Sequence, residues 1–290
     1  MNLITICNRF PTQHDCILHL ESVRWGDTPR CPHCDSEDVA RKAENQRVGR
    51  WNCHSCKSSF NVLSGTIMQK TKIDLQKWFL AIGLIVNAKK SLSSYQLSRD
   101  LDMRQGAAWY MQTRIRQAMD ENQATWLSGI IEADETYVGP KPRKNNRKGG
   151  PKNPTGRGTR KTPVIGAVER KGRAFAKVAT DLSGRGIRCF LESVVDVEHS
   201  HLMTDEFRSY RSMDDLMQHD VVDHSRQYVD GSVHTNSAEG FWSLLKRAWY
   251  GSHHHYSKDF MPLFVAEACW KYNHRKDARA FDSFLAGVFA

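Results

Sequence analysis

"LSGIIEADETYVG", residues 127–139, reads as a short apolar strand, centred on Ile130 and Ile131, that runs out into acids. "KTPVIGAVERKG" and "RAFAKVATDL" follow as two more strands of β-branched and alternating character. "RGIRCFLESVVDV" has helical spacing, and "HSHLMTDEFRSY" is a further strand that ends in acids. "HDVVDHS" is a last short strand. Two amphipathic helices close the series, "HTNSAEGFWSLLKRAWYGS" and "KDFMPLFVAEACWKYNHRKD".

Three strands, a helix, a strand, a strand and two helices is the order of a ribonuclease H-like α/β sheet with helices packed on it. In that order Asp134 ends the first strand and Asp205 the fourth. If those strands are neighbours, the two carboxylates lie side by side. Glu239, on the helix after the fifth strand, reaches the same point. Seventy residues separate Asp134 from Asp205, and thirty-three separate Asp205 from Glu239. Three converging carboxylates in a basic protein suit hard divalent cations with oxygen ligands, Mg²⁺ or Mn²⁺. Two such ions, about 3.5–4 Å apart, serve phosphodiester chemistry. Glu132, Glu135 and Glu206 flank the aspartates and are expected on other faces of regular strands.

The helix from residue 234 admits two readings. Asn236 fits an N-cap, with Glu239 three residues on as in a capping box, so that Glu239 serves the helix end alone. Glu239 and Lys246, nearly two turns apart, also project together, while Phe241, Leu245 and Ala248 lie opposite and bury. A cap does not need a lysine in that register, whereas a phosphate-binding site does. Glu239 is therefore the third metal ligand, with Asn236 as its rival or companion, and Lys246 and Arg247 face DNA. Trp249 packs in the core, and the run His253–His255 touches DNA at most.

The balance of charge agrees with a polyanionic partner. Lys and Arg number 42 against 32 Asp and Glu in 290 residues, a net charge of +10. Nine Lys or Arg and no acid occupy residues 140–161, "PKPRKNNRKGGPKNPTGRGTRK". Such a segment does not fold alone, and it leaves the chain beside Asp134. Lys144, Arg147, Lys148 and Lys152 are its expected phosphate contacts. "MNLITICNRFP" lacks the charged start and long apolar run of a signal peptide. The longest apolar run, "WFLAIGLIV", has nine residues, too few to span a bilayer. A soluble, intracellular protein without a membrane partner is expected, and its eight cysteines are ligands or buried thiols more readily than disulfides.

Cys31 and Cys34, in "PRCPHCDS", stand eighteen residues ahead of Cys53 and Cys56, in "WNCHSCKS". Two C-x2-C knuckles complete a closed tetrahedron, which predicts one structural Zn²⁺ per chain in a zinc ribbon. His33 and His54 are bystanders. Between the ribbon and residue 123 the chain reads as helices. "IDLQKWFLAIGLIVNAKK" carries Leu75, Phe79, Ile82 and Val86 at helical spacing, and Ser93 or Ser94 caps the next helix. A short helix, a turn and the basic helix "AAWYMQTRIRQAMD" make a helix-turn-helix-like segment. Arg104, Gln105, Arg114 and Arg116 are its candidate DNA contacts, with solvated charges on a helical connector as the alternative.

"EADETYVG", "HLMTDEFRSY" and "HTNSAEGFWSLLKRAWYGSHHHYS" resemble the catalytic blocks of the DDE transposases of bacterial insertion sequences, in the IS1595 or ISXO2-like group. Members also carry an N-terminal zinc ribbon, like "CPHC…CHSC" here. The resemblance implies cut-and-join transposition at terminal inverted repeats. One strand is hydrolysed at the element end, and the freed 3′ hydroxyl attacks target DNA. By motif, Asp134 and Asp205 are the first two acids, and both Asn236 and Glu239 stand where the third belongs. Double-stranded DNA is the implied partner, a homo-oligomer on paired ends the implied assembly, and the bacterial cytoplasm, at the nucleoid, the implied place. Three parts are expected: a zinc ribbon over 1–66, a helical DNA-binding segment over 67–122 and the catalytic domain over 123–290. Two rivals stand beside this reading. One is a structure-specific metal-dependent nuclease that cuts without joining; the other is a zinc-ribbon regulator with an idle third domain.

Overall fold

The computed structural model describes residues 1–42, 49–120, 126–140, 159–222, 234–253 and 255–289. They fall into two units, Met1–Met119 with Lys276–Ala290, and Asp120–Arg275.

In the first unit, α1 (Leu3–Arg9) and α2 (Gln13–Trp25) start on local caps. Asn2 Oδ1 accepts from the Thr5 N–H at 2.8 Å, and Thr12 and Asp15 exchange bonds as a capping box. The strands β1 (Val39–Arg41), β2 (Arg50–Cys53) and β3 (Ser59–Asn61) pair antiparallel in that order and form the ribbon. The helix α3 (Leu75–Asn87) buries Leu75, Trp78, Phe79, Ile82 and Ile85. At Gly83 a Cβ would come within 2.4 Å of Ile6 Cδ1, so glycine lets α1 approach α3 closely. Ser93 caps α4 (Ser94–Asp100) as expected, its Oγ accepting from the Gln96 N–H at 3.1 Å. After a four-residue turn comes α5 (Gln105–Ala118), which completes the helix-turn-helix-like pair.

The division drawn from the sequence at 66/67 and 122/123 differs from this one. Ribbon and helices share one unit, and the last residues join them. The cause is aromatic burial. Phe281, on the closing helix Ala280–Gly287, meets Phe79 and Phe10 at centroid distances of 5.7 and 6.3 Å. The Phe79–Phe281 contact is edge-on and the Phe10–Phe281 contact tilted, and aromatic pairs of that kind add to area burial.

The second unit is built on β4 (Leu127–Val138), β5 (Thr162–Glu169), β6 (Ala174–Val178), β7 (Val195–Asp205) and β8 (Gln218–Val222). Their order is β6-β5-β4-β7-β8. β4, β5 and β6 run antiparallel in turn, while β7 is parallel to β4 and β8 to β7. This is the ribonuclease H-like sheet. The helix α6 (Gly184–Val194) covers one face with Ile187, Phe190, Leu191 and Val194 against Leu127, Ile131 and Ala133. The helices α7 (Asn236–Ala248) and α8 (Met261–Asn273) cover the other, with Phe241, Leu245 and Val265 against Val138, Val164 and Val168. α6 stops at Val194, so "VDV", expected in the helix, opens β7. Gly129, at φ +79°, sits at an irregularity of the β4–β7 pairing, where the register passes from Leu127–Val195 to Gly129–Ser200. Among the described residues no helix is long and apolar enough to cross a membrane.

Candidate functional site

The ribbon cysteines meet. Cys31 Sγ lies 3.7 Å from Cys56 Sγ, and Cys34 Sγ 3.5 Å from Cys53 Sγ. Sulfurs about 2.3 Å from one zinc stand ~3.8 Å apart at the corners of a tetrahedron, far beyond a disulfide bond. The donor set and its spacing therefore fit Zn²⁺. The two knuckles are built alike. Asp35 and Lys57, each following the second cysteine of its pair, both have φ of 59°. The Cys31 and Cys53 N–H groups donate to Ser36 and Ser58 carbonyls at 3.0 and 2.9 Å. Cys53→Ser will lose the zinc and unfold the ribbon, since structural zinc carries roughly 10–16 kcal/mol of apparent binding free energy. Metal analysis of protein prepared without chelator will find one zinc per chain; its absence would contradict the assignment. Away from the ribbon, burial pushes the Cys16 thiol up to about 12, which leaves it inert.

Asp134, expected at the end of its strand, lies inside β4, which stays paired with β5 as far as Val138, so the carboxylates depend on the alternation along β4. Residues two apart share a face, so Glu132 and Asp134 both point toward α7, and Glu135 points the other way. The contacts agree. Ser237 N–H donates to Glu132, the Trp242 indole N–H donates to Asp134, and the Tyr210 hydroxyl donates to Glu135. Glu132 was expected on another face and is instead on the face of Asp134. The last matched pair of β4 and β7 is Glu132 with Met203. The same register, carried two residues further, sets Asp134 beside Asp205.

Asp134 is half-buried. Its Oδ1 accepts from the Glu135 N–H at 2.8 Å, and its Oδ2 accepts from Trp242 Nε1–H at 2.9 Å. Burial first, and then the charges of Glu135 and Asp205, lift its carboxyl from 3.8 to about 7, against those two hydrogen bonds. Asp205 Oδ1 accepts from the Phe207 N–H at 3.0 Å. Tyr210 is pushed well above the ordinary phenol range by burial and by Glu135, Asp134 and Asp205. The group gathers negative charge that a cation would relieve. Trp242 reaches Asp134 because its strand neighbour on β5, Gly166, has no side chain. A Cβ at Gly166 would come within 2.6 Å of Trp242 Cη2.

The start of α7 departs from expectation. Its N-cap is Thr235, which makes no side-chain cap bond, and Asn236 is the first helical residue, exposed to solvent. The capping is done by Glu132, which takes the Ser237 and Ala238 N–H groups at 2.6 and 3.1 Å. Glu239 and Lys246 are both exposed, and Phe241 and Leu245 are buried, as the spacing predicts. Among the described residues only the four cysteines form a group of three or more candidate metal ligands, their ligand atoms all within 4.8 Å of one another. Glu239 thus forms no such group with Asp134 and Asp205.

The candidate DNA contacts sort unevenly. Arg104 is exposed at the start of α5, and Lys246 and Arg247 are exposed on the last turn of α7. Arg114 is turned inward: its Nε donates to the Ile67 carbonyl at 3.0 Å and its Nη2 to the Thr66 carbonyl at 3.4 Å. Arg116 is buried. The exposed part of α5 instead carries Trp109 and Tyr110. Trp249 is buried against Tyr256, and the half-buried His253 packs on Phe264. Lys144, Arg147, Lys148, Lys152 and His254 lie outside the described residues.

Comparison with known proteins gives two family matches. Residues 126–273 match the ISXO2-like transposase domain, and residues 11–59 match the transposase zinc-ribbon domain. An uncharacterized protein in transposable element ISH50 of Halobacterium salinarum is 30% identical over 257 residues, 85% of this chain and 86% of that protein. Among solved structures, the Mos1 strand transfer complex overlaps 67% of this chain and 70% of its own at 15% identity, with a TM-score of 0.29. A pre-cleavage Mos1 transpososome overlaps 69% and 75% at 15% identity, with a TM-score of 0.22. The strand order, not these overlaps, carries the fold.

Proposed function

The chain belongs to the ISXO2-like transposases of the IS1595 family and is a DDE-type DNA transposase; from that premise we propose that Asp134, Asp205 and Glu239 hold two divalent cations, Mg²⁺ or Mn²⁺, for cutting and joining DNA. The observation that carries this reading is the parallel pairing of β4 with β7, whose register, with Glu132 opposite Met203, sets Asp134 beside Asp205. An all-oxygen donor set under mutual repulsion fits a hard cation. Bound there, such cations supply charge neutralisation to the attacking and leaving oxygens of an in-line phosphodiester displacement.

The chain's own groups do the positioning. The Trp242 indole fixes Asp134 Oδ2, and the Phe207 N–H fixes Asp205 Oδ1. Lys246 and Arg247 meet phosphate, and Asn236 is the rival for the third position. In the first step water adds to the phosphorus at the element end and the 3′ oxygen leaves. In the second that 3′ hydroxyl forms a new ester with target DNA as one target ester breaks. The ribbon and the helix-turn-helix-like pair recognise the terminal inverted repeats, and paired ends call for a homo-oligomer. Chromosomal DNA puts this activity in the cytoplasm. Incubation with an inverted-repeat duplex and a target plasmid will give cut and joined products. Cut ends that never join would favour a nuclease.

The basic segment has its own test. Neutralising Lys144, Arg147, Lys148 and Lys152 together will weaken binding to any DNA. It will also flatten the salt dependence, by up to about 0.9 in slope per lost phosphate contact. An unchanged slope means the segment is merely solvated.

A further inference from the structure

Glu132 is fully buried, and nearly all its bonds go to one helix end and one arginine. Oε2 accepts from the Ser237 and Ala238 N–H groups at 2.6 and 3.1 Å. Oε1 accepts from the Ser237 hydroxyl at 3.1 Å and from Arg170 Nε–H at 2.6 Å, and His234 Nδ1 stands 3.3 Å away. Arg170 Nη2 donates to the His234 carbonyl at 2.8 Å, so the arginine also holds the chain as it enters α7.

A helix end is ordinarily capped from the residue beside it. Here the cap comes from 105 residues earlier, on the strand and face that carry Asp134. A local cap would fix only the helix end, whereas this one fixes the helix to the strand. A buried carboxylate–guanidinium pair is a poor way to gain stability and a good way to specify one arrangement. The register it specifies matters to the site. Turning α7 by one residue, about 100°, would carry the Trp242 indole away from Asp134. It would turn Glu239 by the same angle.

We propose that Glu132 and Arg170 are positioning residues, which clamp α7 to β4 and so hold the Trp242 indole on Asp134. The proposal rests on the catalytic reading of Asp134 given above. Glu132→Gln in the full-length, zinc-loaded chain tests it. The amide keeps length and can still accept from Ser237 and Ala238, but it brings no charge to Arg170. The Mn²⁺ concentration for half-maximal cleavage of an element-end duplex will rise about tenfold, as for loss of one hydrogen bond to a charged group. Affinity for that duplex will stay within about twofold, because no phosphate contact is removed. Ser237→Ala removes only the hydroxyl bond and will raise the Mn²⁺ midpoint about threefold. It decides the matter alone if Glu132→Gln does not fold. A wild-type Mn²⁺ midpoint in the folded variants would overturn the proposal and leave Glu132 a cap for stability. Full activity of Asp134→Asn would instead overturn the catalytic reading beneath it.

Discussion

Asp134→Asn will abolish cleavage and joining and will stabilise the metal-free protein at neutral pH. The two effects share one cause. The folded chain raises this carboxyl from 3.8 to about 7, so the ionised form is the disfavoured one. The stability that Asp134 contributes is full below its unfolded value and is lost as pH rises through about 7. A shift of that size corresponds to at most about 4 kcal/mol. Metal-free wild type will therefore lose stability between pH 4 and 7 relative to Asp134→Asn, and added Mn²⁺ will restore more of it at pH 8 than at pH 5. Denaturant titrations across that range, with and without Mn²⁺, measure it. Activity will fall by roughly 10³-fold or more, from the several kcal/mol that metal-borne charge supplies in the transition state. A variant that tracks the wild-type pH profile of stability would contradict the burial argument.

Glu239→Gln separates the third ligand from the helix end. Glu239 is exposed, and the capping of α7 belongs to Glu132. The substitution should change stability by less than about 0.5 kcal/mol. Binding to element-end DNA will persist, while cleavage and joining fall roughly 10²–10³-fold, because an amide holds a divalent ion poorly. Asn236→Ala is the companion. Asn236 is not the N-cap, so its melting is also expected to hold, and any loss of activity reports on chemistry. Wild-type cleavage by Glu239→Gln together with a dead Asn236→Ala would move the third position to Asn236.

Much of this was legible in the residues, and the failures have physical causes. Cys31, Cys34, Cys53 and Cys56 announce their site because knuckle geometry depends on local spacing alone. The succession of strands was legible in β-branched apolar runs, and Asp205 does end β7, but β4 runs past Asp134 to Val138 because its pairing with β5 continues there. Glu132 was misjudged although it stands two residues from Asp134, the spacing that shares a face. Its partners, Ser237 and Arg170, are distant in sequence, and a cap supplied across the fold leaves no local pattern. Asn236 has the identity of an N-cap, but Glu132 already held the helix end. Arg114 has the look of a DNA contact, yet the carbonyls of Thr66 and Ile67 claim it. The union of residues 276–290 with the first unit turns on Phe281 meeting Phe10 and Phe79, a tertiary contact with no signature in spacing. Gly166 was the unused clue, since a glycine inside a strand marks a close approach, here by Trp242.

The central claim is that Asp134 and Asp205 together hold the catalytic cations. Crystals of the protein with an element-end duplex, grown in Mn²⁺, test it through the anomalous scattering of manganese. The account predicts manganese between the carboxylates of Asp134 and Asp205, on the α7 face of the sheet, and none there in Asp205→Asn. Manganese bound elsewhere, with both aspartates unliganded in an active complex, would contradict it.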